Sequence, residues 1–377
     1  MKRILPLLLC LCLALTACQS APTTGRQSSS TTNSIPTAAS RPEQINYPPA
    51  YNYTLTFAGD VSLADGSTPL RAYNSRGLEG CFDEEILRQM QEADLFVLNS
   101  EFSFTTRGTR VEKNYNFRGH PSRITILDEM GVDLAILANN HVFDYGEVGL
   151  TDTLNTFKDY GMPFVGAGEN IEEASAIYYA QLGECTVAFV AGNRVEWAEQ
   201  TRGATETKSG VFRTAESNAL ICQRISEARE KADYVVVYIH WGMEGDTWLE
   251  PYQTTSGKQF IDAGADVVVG DHPHVVQGIE YYKGKPIFYS LGNYWFSAYG
   301  RYTMLLNMIV ERDELGNPSV TYTITPGWTQ GGRVTTLDDT RKFYDYMESI
   351  SVGDVVIDDD GTVWDGVYIG SATLNED

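Results

Sequence analysis

The run Val-Val-Val-Gly-Asp-His-Pro-His-Val-Val-Gln-Gly, residues 267–278, ends an apolar stretch in Gly270 and then presents His272 and His274 one residue apart. A buried strand that closes in a glycine turn and continues as His-x-His aims two imidazoles at one point. Imidazole is the commonest side-chain metal ligand near neutral pH. The whole chain has five histidines: His120, His141, His240, His272 and His274. All but His120 follow an apolar, strand-like run, which is where an open α/β sheet places its ligand site.

Other strand-like runs end in residues of the same kind. Residues 53–58 lead to Gly59-Asp60, and residues 95–98 lead to Asn99-Ser100-Glu101. Residues 134–138 lead to Asn139-Asn140-His141, and residues 234–239 lead to His240. Each has a plain structural reading: a turn aspartate, an Asn-rich turn, a core histidine. Repetition of one placement at five strand ends favours ligands. Asp144 stands three residues beyond His141, close enough to orient its ring or raise its basicity. Mixed nitrogen and oxygen ligands without thiolate suit Mn, Fe or Zn better than Ca or Mg. The set is large enough for one or two divalent ions, two of them sharing a bridging carboxylate. Two ions about 3.5–4 Å apart clamp both oxygens of an in-line displacement and acidify a bound water. That chemistry hydrolyses phosphoesters and, less often, amides. Gly59-Asp60-Val61-Ser62-Leu63 is superficially like the Gly-Asp-Ser-Leu esterases, but Val61 separates the acid from the serine.

These residues need elements to hold them. Strands are expected over 53–58, 95–98, 134–138, 164–168, 234–239, 267–269 and 286–290, from β-branched runs bounded by turn residues. Helices are expected over 84–92, 122–130 with Ser122 as N-cap, 149–160, 217–231 and 254–263. Residues 177–181 and 186–190 read as a hairpin, and 304–311 with 320–325 as a strand pair. The alternation makes the chain α/β. Asn293, in the turn after 286–290, is a candidate substrate contact. The loop over 105–123 holds Arg107, Arg110, Lys113, Arg118 and Arg123 with Glu112 as its one acid. It reads either as a solvated loop or as a rim for an anionic substrate, with Arg118 the best candidate. His120 suits loop packing or ligand support better than ligation.

The chain has 377 residues, 42% of them hydrophobic, enough for one large or two ordinary domains. Lys2-Arg3 precedes an apolar run too short to span a bilayer, the pattern of a secretory signal. Leu15-Thr16-Ala17-Cys18 resembles a bacterial lipobox, with Cys18 as the lipid-bearing residue; a plain signal peptide is the alternative. Residues 18–50, rich in Ser, Thr, Pro and Ala, bury too little to offset their ordering entropy and read as a stalk. The expected order is signal 1–17, stalk 18–50, domain 51–335 and C-terminal extension 336–377, with an extracytoplasmic, membrane-anchored lipoprotein as the product. A formal net charge of −22 repels nucleic acid and gains nothing from anionic lipid. Past Cys18 only Cys81, Cys185 and Cys222 remain, too few and too widely spaced for a disulfide framework.

In this order, Asp60, Asn99-x-Glu101, Ala138-Asn-Asn-His-x-x-Asp-Tyr-Gly146, His240-Trp-Gly242, His272-Pro-His-Val-x-Gln-Gly278 and Tyr289-Ser-Leu-Gly-Asn293 resemble the CapA family, the poly-γ-glutamate capsule synthesis proteins. The resemblance covers roughly residues 52–310. That family is similar to the calcineurin-like metallophosphoesterases, which implies a four-layer α-β-β-α sandwich. It places Asp60, Glu101, Asn140, His240, His272 and His274 on metal positions. His141 falls on the general-acid or transition-state position, supported by Asp144. Three departures stand out. Asp60-Val61-Ser62 replaces Asp-x-His, Asn99-x-Glu101 replaces a different carboxylate motif, and Asp271 stands where a third histidine is usual. The resemblance implies a surface hydrolase acting on a cell-envelope polymer, or a non-catalytic component that binds or exports poly-γ-glutamate. Capsule assembly proteins and, through Cys18, the membrane are the implied partners. A solute-binding lipoprotein is a weaker third reading, since a solute receptor has no need of six ligand-type residues.

Overall fold

Residues Tyr234–His240 form a strand in which every residue is buried. Successive side chains point to opposite faces. Tyr234, Val236 and Tyr238 enter one apolar cluster, and Val235, Val237 and Ile239 enter another. A strand covered on both faces requires a layer on each side. Leu95–Ser100 behaves likewise, with Leu95 and Val97 on one side and Phe96 and Leu98 on the other.

The computed structural model describes residues 48–195, 200–296 and 298–367. Two large sheets dominate it. The first runs in the order Arg333–Thr336, Pro318–Gln330, Arg301–Arg312, Tyr51–Val61, Leu95–Ser100, Leu134–Ile136, Phe164–Val165, with Asn293–Trp295 also paired to Tyr51–Val61. The second runs Val276–Tyr282, Lys285–Leu291, Val267–Asp271, Tyr234–His240, Cys185–Asn193, Tyr178–Leu182. The central neighbours in each sheet are parallel, so their carboxyl ends share an edge.

Between the sheets lies one core, with Leu55, Phe57 and Val97 meeting Phe189, Val236 and Val269. Helices Glu84–Glu92, Ile124–Glu129 and Gly146–Tyr160 cover the outer face of the first sheet through Met90, Leu127, Leu154 and Phe157. Helices Ala219–Arg229 and Pro251–Ala263 cover the second through Ile221, Ile225 and Phe260. The described residues therefore form a four-layer α-β-β-α sandwich.

Several local expectations change. The first strand continues to Val61, so Asp60 lies inside it rather than beyond it. A bulge at Gly59 permits this, because the pairing shifts register between Ala58 and Asp60. A Cβ at Gly59 would lie 1.9 Å from the Gly292 carbonyl oxygen, so only glycine fits. Ser122 does not cap a helix over 122–130. His120 accepts from the Ser122 N–H, Pro121–Arg123 is a 3-10 turn, and the α-helix is Ile124–Glu129. The strand expected over 164–168 breaks at Gly166, whose φ is 91°. The extension packs onto the body as far as it is described. Helix Thr340–Ile350 sets Phe343, Tyr344 and Met347 into the core between the sheets. The signal, Cys18 and the stalk up to residue 47 lie outside the described residues. No helix of the described residues is long and apolar enough to cross a membrane.

Candidate metal centre

The shared edge of the two sheets is where the strands turn polar. In the first sheet Asp60 stands in register with Asn99 on one side and Asn293 on the other. In the second, His240 stands between Asn193 and Asp271. Side chains so placed are buried by the layers around them, so each needs a polar partner or an ion.

The partners cross between the sheets. Asn99 donates from Nδ2 to Asp60 Oδ1 at 2.8 Å, and the same nitrogen lies 3.3 Å from His240 Nδ1. Asn139 donates to Asn99 Oδ1 and to the Ser100 carbonyl, both at 2.9 Å. Its own Oδ1 accepts the backbone N–H groups of His141 and Val142. Asn139 is thus a strut that fixes the loop carrying Asn140 and His141.

Two groups of donor atoms converge here. His240 Nε2 lies 2.9 Å from Asn140 Oδ1, 3.1 Å from His272 Nδ1 and 3.5 Å from Glu101 Oε1. His274 Nδ1 lies 3.1 Å from Asp60 Oδ2. Glu101, His240 and His272 offer ligand atoms within 4.8 Å of one another, as do Asp60, Glu101 and His274. Glu101 belongs to both groups. Ligands about 2.0–2.2 Å from one ion must stand roughly 3–3.5 Å apart, and the spacings around His240 match that requirement.

The donor chemistry passes a second test. Both carboxylate oxygens of Glu101 are buried without a hydrogen-bond partner among the described residues. Burial, with Asp60 and then Asp271 nearby, pushes the Glu101 carboxyl well above its usual range. Burial and the other imidazoles, His240 foremost, hold His272 well below its usual value. Burial also works against the Asp60 charge, but the His274 hydrogen bond, His240 and Asn99 outweigh it and keep Asp60 low. An ionised Asp60, a Glu101 carboxyl that burial keeps from ionising and the imidazole nitrogens thus face one buried centre, and a divalent cation there would offset the cost of ionising Glu101. His272 and His274 also hold φ values of 101° and 59°. That left-handed backbone is strained for side chains other than glycine and tends to persist at functional sites.

His141 faces the same centre from the side. Its Nδ1 pairs with Asp144 Oδ2 at 2.8 Å, and its Nε2 points toward Glu101 Oε1 at 3.8 Å. Such a pair fixes the tautomer and leaves Nε2 to exchange a proton. The Phe117 ring lies 4.3 Å from the His141 ring and 5.5 Å from Phe296, which lies 4.7 Å from His274. An aromatic wall therefore links the two imidazoles.

The structure thus gathers Asp60, Glu101, Asn140, His141, Asp144, His240, His272 and His274 in one place. Asn293 joins them as the strand neighbour of Asp60. Asp271 points elsewhere, toward the Tyr238 hydroxyl. Arg118 stands apart from the cluster, its guanidinium 4.7 Å above the Tyr145 ring and 3.9 Å from Asp65. The other loop cations hold the loop itself. Arg107 binds Asp152, Arg110 binds Asn116, and Arg123 binds Asp65 and the Leu63 carbonyl. Lys113 is buried against Asp144. Sequence reasoning left Asn99, Asn139 and Phe117 without a role and read Lys113 as part of a solvated loop or an anion-receiving rim. Asn99 and Asn139 stood inside the recognised motifs, but spacing does not say which amide faces a ligand and which a neighbouring strand.

The family described as bacterial capsule synthesis protein PGA_cap matches residues 54–298. The capsule biosynthesis protein CapA of Bacillus anthracis is 37% identical over 251 residues, covering 64% of this chain and 59% of that protein. The PGA biosynthesis protein CapA of Bacillus subtilis (strain 168) is 32% identical over 251 residues, covering 64% and 62%. The chain thus spans about three fifths of the length of these curated relatives. Among solved structures, a Staphylococcus aureus protein provisionally named a 5′-nucleotidase, in complex with alpha-ketoglutarate, superposes with a TM-score of 0.45 at 16% identity, over 77% of this chain and 55% of that one. With the match spanning both sheets' polar edge, the chain belongs to the PGA_cap family of bacterial capsule synthesis proteins.

Proposed function

We propose that this protein serves poly-γ-glutamate capsule formation as a metal-dependent hydrolase acting on a cell-envelope polymer. The observation that carries the reading is the pair of ligand groups sharing Glu101, with the His141–Asp144 pair beside them. The names of the two Bacillus relatives supply the capsule context. Mn, Fe or Zn would be held by Asp60, Glu101 and His274 and by Glu101, Asn140, His240 and His272. When bound, such ions supply Lewis acidity and an acidified water. His141 Nε2 donates a proton to the departing alkoxide or amine, while Asp144 holds Nδ1–H and stabilises the imidazolium. Asn293 is the substrate contact beside the ligands in this reading, and Arg118, held over Tyr145 and beside Asp65, is left for an anionic group farther along a long polymer. A phosphodiester and a γ-glutamyl amide both fit that proton transfer.

The protein in this reading is an extracytoplasmic lipoprotein anchored through Cys18, and it works with other capsule assembly proteins. The basic start, the short apolar run and Leu15-Thr16-Ala17-Cys18 support that location. Cys18→Ala moves the protein from the membrane fraction to the soluble fraction if the reading holds; membrane retention counts against it.

Turnover is tested on the Mn-supplemented protein with bis-p-nitrophenyl phosphate and γ-glutamyl anilides. Turnover of either that disappears in His240→Ala and His272→Ala supports the reading. Turnover that survives both substitutions sinks it. A second reading, a non-catalytic poly-γ-glutamate binding or export component, draws on Ser62. A buried hydroxyl stands there, without a hydrogen-bond partner among the described residues, in place of an imidazole. Stoichiometric metal without turnover of either substrate, together with polymer binding, favours that second reading.

A further inference from the structure

Among the cations of the 105–123 loop, Lys113 is the one drawn into the body, with its side chain 3% exposed. Its Nζ lies 2.6 Å from Asp144 Oδ1 and donates to the Asn140 main-chain carbonyl at 2.6 Å. The other Asp144 oxygen pairs with His141 Nδ1 at 2.8 Å. The side chain of Asn140 reaches His240 Nε2 at 2.9 Å. One ammonium group thus touches the backbone of a residue at a metal position and the carboxylate that orients the proton-transfer histidine. The Thr201 hydroxyl donates to the same Asn140 carbonyl at 3.0 Å, and Asn139 braces the loop from the opposite side.

A buried ammonium is costly unless paired. Compensating the Asp144 charge would need the contact to Asp144 alone. The second contact, to a main-chain carbonyl one residue before His141, takes up another ammonium proton. It also ties the same group to the residue whose side chain meets His240.

We propose that Lys113 is a positioning residue that sets Asn140 and His141 as one unit, so that the ion position formed by Glu101, Asn140, His240 and His272 fills tightly only with Lys113 in place. The inference rests on the metal-site reading above. Loss of an outer partner of a metal ligand lowers affinity by about 10- to 100-fold, and that is the effect expected here.

The test compares the full chain with Lys113→Met and with the double variant Lys113→Met/Asp144→Asn. Mn²⁺ binding is followed by calorimetry, and the loaded proteins by electron paramagnetic resonance. Wild type is expected to take up two ions with the signature of a coupled Mn pair. In both variants the more weakly held ion should bind at least about tenfold less tightly, and the coupled signature should fade. The double variant removes the buried Lys113–Asp144 ion pair as a whole, so it decides the matter if Lys113→Met alone does not fold. A coupled pair restored in the double variant makes Lys113 a charge partner only and overturns the proposal. Unchanged affinity and spectrum in both variants overturn it too. If wild type takes up a single ion, its affinity must fall in both variants, or the proposal is wrong. A wild type that takes up no Mn²⁺ sinks the metal-site reading, and the inference with it, before any variant is compared.

Discussion

His240 Nε2 and Asn140 Oδ1 lie 2.9 Å apart, although 100 positions separate the two residues in sequence. His240 ends a strand of the second sheet, and Asn140 stands in a loop leaving the first. Their meeting follows from the core below them. Val97 and Ile136 on one sheet pack with Val236 and Tyr238 on the other, which fixes the separation of the sheets up to the polar edge. Close packing of that core transmits little slack to the edge. The donor atoms are therefore preorganised by apolar packing rather than by the ion.

His240→Ala and His272→Ala are expected to abolish tight uptake at the Asn140 side of the centre. Loss of an outer partner lowers metal affinity by about 10- to 100-fold, and loss of a direct ligand should exceed that. His274→Ala should act on the Asp60 side. Equilibrium dialysis against Mn²⁺ with metal analysis of the retained protein checks both. Full uptake by His240→Ala would show that the convergence of donor atoms is not a binding site.

His141→Asn should separate binding from proton transfer. The ring reaches Glu101 only at 3.8 Å, so it stands beside the donor atoms rather than among them. Metal uptake is expected to persist. Turnover of whichever substrate the wild type hydrolyses should fall about 10²- to 10⁴-fold, the usual worth of a positioned general acid or base. The fall should appear in kcat with KM little changed. Loss of metal in this variant would place His141 among the ligands instead.

Much of this arrangement was legible because strands buried on both faces leave continuous apolar runs, and a polar residue ending such a run is conspicuous. Residues 234–239 and the His240 that follows are the clearest case. Helix Glu84–Glu92 was legible to the residue, since Asp83 caps it by accepting from Ile86 N–H and acids fill its first turn. What stayed hidden depends on partners far away in sequence. The position of Asp60 inside a bulged strand is set by the Gly292 carbonyl, which accepts the Asp60 N–H at 3.1 Å. The burial of Lys113 depends on its loop folding back over Asp144, and a run of five cations reads as a wet rim until that fold is seen. The Ser122 cap failed because the Ser122 hydroxyl lies 2.9 Å from His120 Nδ1 instead of accepting an N–H of the following turn, and His120 itself caps the 3-10 turn.

Asp271 gives a pH-dependent outcome. Burial, and then Asp60, push its carboxyl well above the usual range, against the opposing pull of Tyr238. The Tyr238 hydroxyl has one proton and two neighbours, the Ala58 carbonyl at 2.8 Å and the Asp271 carboxyl. A protonated Asp271 resolves this by donating to Tyr238, which donates to Ala58. A folded-state pKa above the unfolded value means that stability is full below the unfolded pKa, about 3.9. It is then lost as pH rises through the folded value. Asp271→Asn keeps a donor toward Tyr238 and carries no charge at any pH. Its stability relative to wild type should therefore rise with pH from about 5 to 8 in metal-free protein, read by urea denaturation at each pH. A constant difference between the two across that range would mean that Asp271 is ionised throughout.

Phe343 tests whether the chain beyond residue 335 is part of the body. Its ring is fully buried in the core between the sheets and lies 5.2 Å from the Tyr302 ring. Phe343→Ala removes a large buried ring at a site bounded by two sheets, which leaves the cavity little room to collapse. Substitutions of this kind cost about 3–5 kcal/mol, a large share of the about 5–15 kcal/mol that holds a typical domain together. The variant should unfold at markedly lower urea concentration with an unchanged slope, because the same surface is exposed on unfolding. Its folded fraction should bind Mn²⁺ as wild type does, since Phe343 packs between the sheets and makes no contact with the donor atoms at their polar edge. A midpoint equal to that of wild type would mean that the Thr340–Ile350 helix is not needed by the sandwich it packs against.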